Sequence, residues 1–249
     1  MNPQDRNILR KLAMEIAELA QDPVQQERID GWRALNGLMP IRPMLWITEI
    51  PWREFEDDVE ELRAQCEDSR ARRVERELRR KIFTARKLRV DEVLSTDFHV
   101  NRAMEGRGYG VQFKEERIEQ GAAFIQSHHF LPVIKELDDI DKIKMPDLHR
   151  NDERTAERVD FFSDLFDGIL DVKETGVRQQ SFADWDLIVT WTGVTEALMD
   201  LMERPDYIHA IMRRVTDCFL LSMTQLEERN LLSHPHPLVR VHSGAAGFT

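Results

Sequence analysis

Four short apolar runs, each ending in polar residues and each set apart by helix-length stretches, constrain this chain more than any other feature. They are Met44–Thr48 (MLWIT), Val90–Val100 (VDEVLSTDFHV), Ile169–Gly176 (ILDVKETG) and Leu238–Gly244 (LVRVHSG). Between them lie segments with apolar residues at helical spacing, such as Glu54–Gln65, Ser69–Lys87, Asn151–Phe166 and Pro205–Arg229. Strand, helices, strand, helices, strand, helices, strand is the order of parallel α/β folds. An open doubly wound sheet and a (β/α)8 barrel both satisfy it. The nearest approach to a dinucleotide fingerprint, GRGYG (Gly106–Gly110), has the wrong spacing and no following helix. A barrel carries its chemistry at the C-terminal strand ends. Here those ends read Thr48-Glu49, Asp97 to His99, Glu174-Thr175 and His242-Ser243.

Two helices are expected first, Pro3–Ala20 with Ile8, Leu9, Leu12, Ile16 and Leu19 in phase, and a second opened by Asp22-Pro23 and running to Leu35. Val111–Glu119 is expected to form an excursion hairpin. Ser127–Ile134 is open between strand and loop, and Leu137–Ile143 is expected as a short helix. Asp184–Trp191 and Thr195–Glu203 are expected as helices before the long Pro205–Arg229 helix.

The chain has 249 residues and a formal net charge of -11. That balance argues against a general binder of nucleic acid or anionic membrane. The basic run SRARRVERELRRK (Ser69–Lys81) is interleaved with Glu75 and Glu77, and reads as a solvated helix face rather than an RNA patch. Only two cysteines occur, Cys66 and Cys218, far apart and without metal spacing. With a charged N-terminus lacking an apolar signal core, this points to a cytoplasmic location. No apolar run approaches the roughly 18 residues that span a bilayer.

Asp97 and His99 lie two apart and face the same way on a strand. Either they line a pocket as an acid/base pair, or the strand end turns into solvent. Glu49, with Pro51 fixing the turn after it, and His242 are the other candidate catalytic residues. His128-His129 cannot both face one metal in extended geometry, so one of them lines a pocket or neither does. Trp46, Trp185 and Asp186 complete the candidate substrate-binding set. The competing reading for Trp185 and the first-turn acids of DWDLIVTW is core packing and helix-dipole complementarity.

Five stretches carry a family resemblance, and they cover most of the chain in order. They are RALNGLMPIRPMLWITEIPW, ELRRKIFTARKLRVDEV, SHHFLPVIKELDDIDKIKMP, WTGVTEALMDLMERPDYIHAIMRRVTD and VRVHSGAAGFT. Through them the chain resembles the uroporphyrinogen decarboxylase superfamily, in particular bacterial members related to corrinoid-dependent methyltransferases. The resemblance implies a partial (β/α)8 TIM-type barrel with an N-terminal helical extension. Residues 1–42 would form the extension and 43–249 the first half of a barrel whose second half follows Thr249. A half-barrel alone is expected to aggregate or unfold readily and to be inactive, because its parallel edges are open.

The resemblance further implies methyl transfer from a small-molecule substrate, involving a corrinoid (cobalamin) protein as partner. The alternative is decarboxylation of a tetrapyrrole. The decarboxylases of this superfamily carry a basic motif after the first strand. Here TEIPWREFEDD is acidic and would repel a polycarboxylate. A third reading is a non-catalytic binding module. The methyltransferases use zinc held by a His-x-Cys motif and a later Cys. No His-x-Cys occurs here, so zinc ligands are expected beyond residue 249 and no metal residue is assigned. Neither nucleic acid nor membrane is an expected partner.

Overall fold

A computed structural model describes residues 1–39, 41–47, 49–118, 127–233, 240–241 and 245–246. The chain is mixed α/β and rich in helix. It divides into two compact units: unit 1 comprises residues 1–101, 153–178 and 233–249, and unit 2 residues 102–152 and 179–232.

Unit 1 opens with α1 (Pro3–Ala20), capped by the Asn2 side chain, which accepts from the Asp5 N–H. Leu9, Leu12, Ala13 and Ile16 share its buried face and pack on α4 (Ser69–Lys87), whose Ala71, Val74, Leu78 and Ile82 complete the contact. α2 (Val24–Asn36) and α3 (Trp52–Asp58) lie between them in sequence, followed by the short 3-10 turn Glu60–Leu62. Strand β1 (Asp97–Asn101) pairs in parallel with β6 (Asp171–Thr175), in the register Asp97 opposite Asp171 and Asn101 opposite Thr175. α5 (Asp152–Leu165) precedes β6. Phe98 drives into the core against Phe162 and Phe166, with ring centroids 4.9 and 4.7 Å away. Strand alternation therefore turns Asp97 and His99 to the opposite face.

Met44–Thr48 is expected as a strand, but residues 44–47 join no ladder. The segment is held by one residue instead. Asp91 donates its N–H to the Leu45 carbonyl (2.8 Å) and accepts the Leu45 N–H on its carboxylate (2.7 Å). Arg42 grips the same carboxylate with both guanidinium nitrogens. The second strand is shorter than its apolar run. β1 starts at Asp97, so Asp97 opens the strand rather than ending it, and the C-terminal end is Asn101. At that end the Thr175 hydroxyl donates to the Asn101 side-chain oxygen (3.1 Å).

Unit 2 holds two antiparallel pairs, β2 (Met104–Glu105) with β5 (His149–Arg150) and β3 (Lys114–Ile118) with β4 (Ser127–Leu131). The hairpin expected within Val111–Glu119 is wider: that segment supplies only β3, and its partner β4 comes from Ser127–Ile134, which the sequence left open between strand and loop. Leu137–Lys142 is a 3-10 helix. α6 (Asp184–Thr192), α7 (Val194–Glu203) and α8 (Pro205–Glu228) enclose a core of Ile134, Ile143, Ile188, Trp191, Tyr207, Ile211 and Val215. Gly106 sits at φ +74, where a Cβ would stand 1.7 Å from the Asp147 carbonyl oxygen, so only glycine fits beside β5. In unit 1, β7 (Arg240–Val241) and β8 (Ala245–Ala246) form a third antiparallel pair. Among the described residues every sheet is two-stranded, β1–β6 is the one parallel pair, and no barrel closes. No described helix is long and apolar enough to cross a membrane.

Candidate functional site

Asp97 and His99, placed on one face of β1 by the pleat, line a cavity of about 150 Å³ in unit 1. Lys81, Glu92, Ser95 and Arg178 are also in its wall. Asp97 is fixed by Lys173 of the paired strand (2.6 Å), and its backbone N–H donates to the Ser95 hydroxyl (3.2 Å).

A larger groove of about 530 Å³ adjoins this cavity, for Lys81 and Glu92 belong to the walls of both. Trp46 and Trp52 line it together with the Arg73, Arg76, Arg80 and Lys81 face of α4. The basic run is thus more than a solvated face. Its apolar positions seal α1, and its basic positions build one wall of the groove. Glu56 of α3 holds Arg80 (2.5 Å) and stands 3.7 Å from Arg76, while Glu77 takes Lys81 (2.9 Å). The Arg80 guanidinium also stacks over the Trp52 ring at 5.3 Å.

Glu92 sits where the two spaces meet. Burial raises its pKa, against the opposing pull of Lys81 and Arg28. An acid whose pKa is raised by burial beside a cavity is a candidate general acid. The sequence reading passed over this residue. The available signal was an acid inside the apolar run VDEVL, but its burial depends on α4 and on the Trp46 segment, both distant in sequence.

The other expected site residues are dispersed. Glu49 is exposed and is absent from the lining of both spaces. His242 lies outside the described residues, as does Thr48. Trp46 lines the groove, braced edge-on by buried Trp32 (5.9 Å). The remaining four belong to unit 2. His128 is exposed on β4, bonded to Glu115 of β3 (2.9 Å) and stacked near Phe130. Exposed His129 stands opposite Glu116 in the ladder. Trp185 packs on the core of unit 2, and Asp186 is exposed in the first turn of α6.

Among the described residues no three His, Cys, Asp or Glu side chains form a group that could hold a metal ion. The two thiols do not suit zinc, which binds thiolate. Burial, with the Glu75 carboxylate alongside, pushes Cys66 up to about 12, and burial also raises Cys218.

No family model, curated protein or solved structure matches this chain.

Proposed function

We propose that this chain belongs to an enzyme of the uroporphyrinogen decarboxylase superfamily that removes a methyl group from a small organic substrate, and that unit 1 contains its site. The observation that carries this reading is the raised carboxyl of Glu92 at the junction of groove and cavity. Methyl removal from oxygen, nitrogen or sulfur leaves a basic heteroatom. Glu92 donates a proton to that atom as its bond to the methyl carbon breaks, with the bonding pair remaining on the heteroatom. Asp97, fixed by Lys173, and His99 orient the substrate from the β1 face. The corrinoid of a partner protein supplies the methyl acceptor. The same reading makes β1 and β6 neighbouring strands of a (β/α)8 barrel, which their parallel pairing and the preceding α5 support.

Tetrapyrrole decarboxylation is the second reading, favoured by one observation. The acidic segment after Trp46 is partly neutralised, since Glu56 is engaged by Arg76 and Arg80, and the groove wall is basic. Glu92 would then protonate the carbon that loses carbon dioxide.

The test is to incubate the protein with a reduced free corrinoid and methoxy, methylamine and methylthio donors, following methyl-corrinoid absorbance. Transfer is expected, with Glu92→Gln slowing it about 100-fold. The wild-type rate should fall as pH rises through the raised Glu92 pKa, because the donor form is then lost. A Glu92→Gln rate equal to wild type would overturn the role of Glu92. Carbon dioxide release from a porphyrinogen without methyl transfer would favour the second reading. Neither activity would leave a binding module.

A further inference from the structure

The groove has its own ligand chemistry. Arg73, Arg76 and Arg80 recur at three- and four-residue spacing on α4, so they stand in a row on one face. The wall sets four basic side chains, Arg73, Arg76, Arg80 and Lys81, against two acids, Glu92 and Glu77, the latter engaged by Lys81 (2.9 Å). Glu56, from outside the lining, binds Arg80 closely and Arg76 only at 3.7 Å. Arg73 is exposed and forms no ion pair among the described residues. A chain of net charge -11 thus presents a concave surface whose uncompensated charge is positive. Guanidinium groups in a row suit planar or tetrahedral oxyanions that accept paired hydrogen bonds.

The lining is also aromatic. Trp46 is buttressed by Trp32, and Trp52 is wedged edge-on against Phe83 (6.2 Å) beneath Arg80. Two packed indoles beside a line of guanidiniums suit a ligand with a flat apolar body and a charged end. The volume, about 530 Å³, falls in the range of small-molecule sites.

We propose that this groove binds a small aromatic oxyanion, with its ring against Trp46 and Trp52 and its carboxylate or phosphate on Arg73 and Arg76. That such a ligand is the substrate rests on the function proposed above. That it binds does not.

The experiment is calorimetric titration of the full chain with benzoate, phenyl phosphate and inorganic phosphate. Benzoate or phenyl phosphate should bind one to one, and the preferred one identifies the oxyanion. Inorganic phosphate should bind about tenfold more weakly for want of the ring. Added salt should weaken binding. Arg73→Gln, at an exposed position that the core does not need, should weaken it about tenfold. The proposal is overturned if neither aromatic ligand binds, if Arg73→Gln changes nothing, or if inorganic phosphate binds as tightly as phenyl phosphate. Binding with all these features but no turnover of any methyl donor or porphyrinogen would sink the proposed activity and leave the groove standing. Turnover without aromatic oxyanion binding would do the reverse.

Discussion

Unit 1 and unit 2 solve the same problem, irregular backbone that must be satisfied, with opposite chemistry. In unit 1 buried carboxylates capture backbone N–H groups. Asp5 accepts from Glu67 and Asp68, Glu75 from Gln65 and Cys66, and Asp91 from Leu45. In unit 2 side-chain donors, mostly of α8, capture backbone carbonyls. Tyr207 donates to Ile134, Arg214 to Ile143, Gln225 to Pro146 and Arg229 to Leu148. The acceptors of unit 1 titrate in acid, whereas the donors of unit 2 do not. In acid the loss of these contacts should therefore fall first on unit 1.

The sign follows from the shifts. The Asp68 and Glu67 N–H groups lower Asp5, and the Arg42 guanidinium lowers Asp91. Burial opposes the shift at Glu75, but the Cys66 and Gln65 N–H groups and Arg79 hold it below the ordinary range. Each contributes stability that is full above the unfolded-chain value and is lost as pH falls through the lowered one. Burial raises Tyr207 to about 12, so its contribution is full below the unfolded value near 10 and is lost as pH rises toward about 12. Hydrogen exchange across pH should show unit 1 amides losing protection first in acid. Simultaneous loss in both units would break the comparison.

The largest single effect is expected at Glu75. Removing its carboxylate strands the Gln65 and Cys66 N–H groups and the Arg79 guanidinium in a buried site. Glu75→Ala should cost about 3 kcal/mol by urea denaturation, with the loss confined to unit 1 amides. Gln225→Ala strands the Leu148 N–H and the Pro146 carbonyl in unit 2. It should cost about 2 kcal/mol and leave the acid profile unchanged. Tyr207→Phe should cost about 1 kcal/mol at neutral pH and remove the part of the unit 2 alkaline transition that Tyr207 contributes between 10 and about 12. The smallest effect should run the other way. Asp184 is buried at the start of α6, with one carboxylate oxygen lacking any hydrogen-bond partner among the described residues, and burial raises its pKa. Its penalty is absent in acid and appears as pH rises, so Asp184→Asn should raise the melting temperature at neutral pH by the equivalent of about 1 kcal/mol.

The helices were legible because a buried stripe repeats every third and fourth residue. α4 through α8 fall within a few residues of where apolar spacing puts them. A hairpin in this region was expected, but not that its second strand would be Ser127–Leu131, whose pairing with β3 depends on a partner outside 111–119. What failed depended on long-range partners. Met44–Thr48 has the composition of a strand, yet among the described residues its Leu45 backbone pairs with Asp91 rather than with a strand, and nothing local to MLWIT reveals that. The start of β1 at Asp97 rather than at Val90 is set by where β6 begins to pair. Of the residues lining these spaces, Asp97 and His99 were candidates from residue type at a strand end, and Trp46 from its aromatic ring beside the turn after MLWIT. Glu92 and the Arg73–Arg76 wall were not, because burial of one acid and concavity around three arginines are properties of packing.

One consequence of the sealed thiols concerns how the comparison can be watched. Each unit contains a single cysteine, Cys66 in unit 1 and Cys218 in unit 2, both buried and both raised in pKa by that burial. In the closed protein a thiol-alkylating reagent at neutral pH meets protonated, inaccessible sulfur and reacts slowly at either position. Opening a unit returns its thiol to water and to ordinary reactivity. The chain thus carries two independent chemical stopwatches. Mass shifts at the two cysteine-bearing peptides, read against reagent exposure time, would give the opening rate of each unit separately in the native sequence.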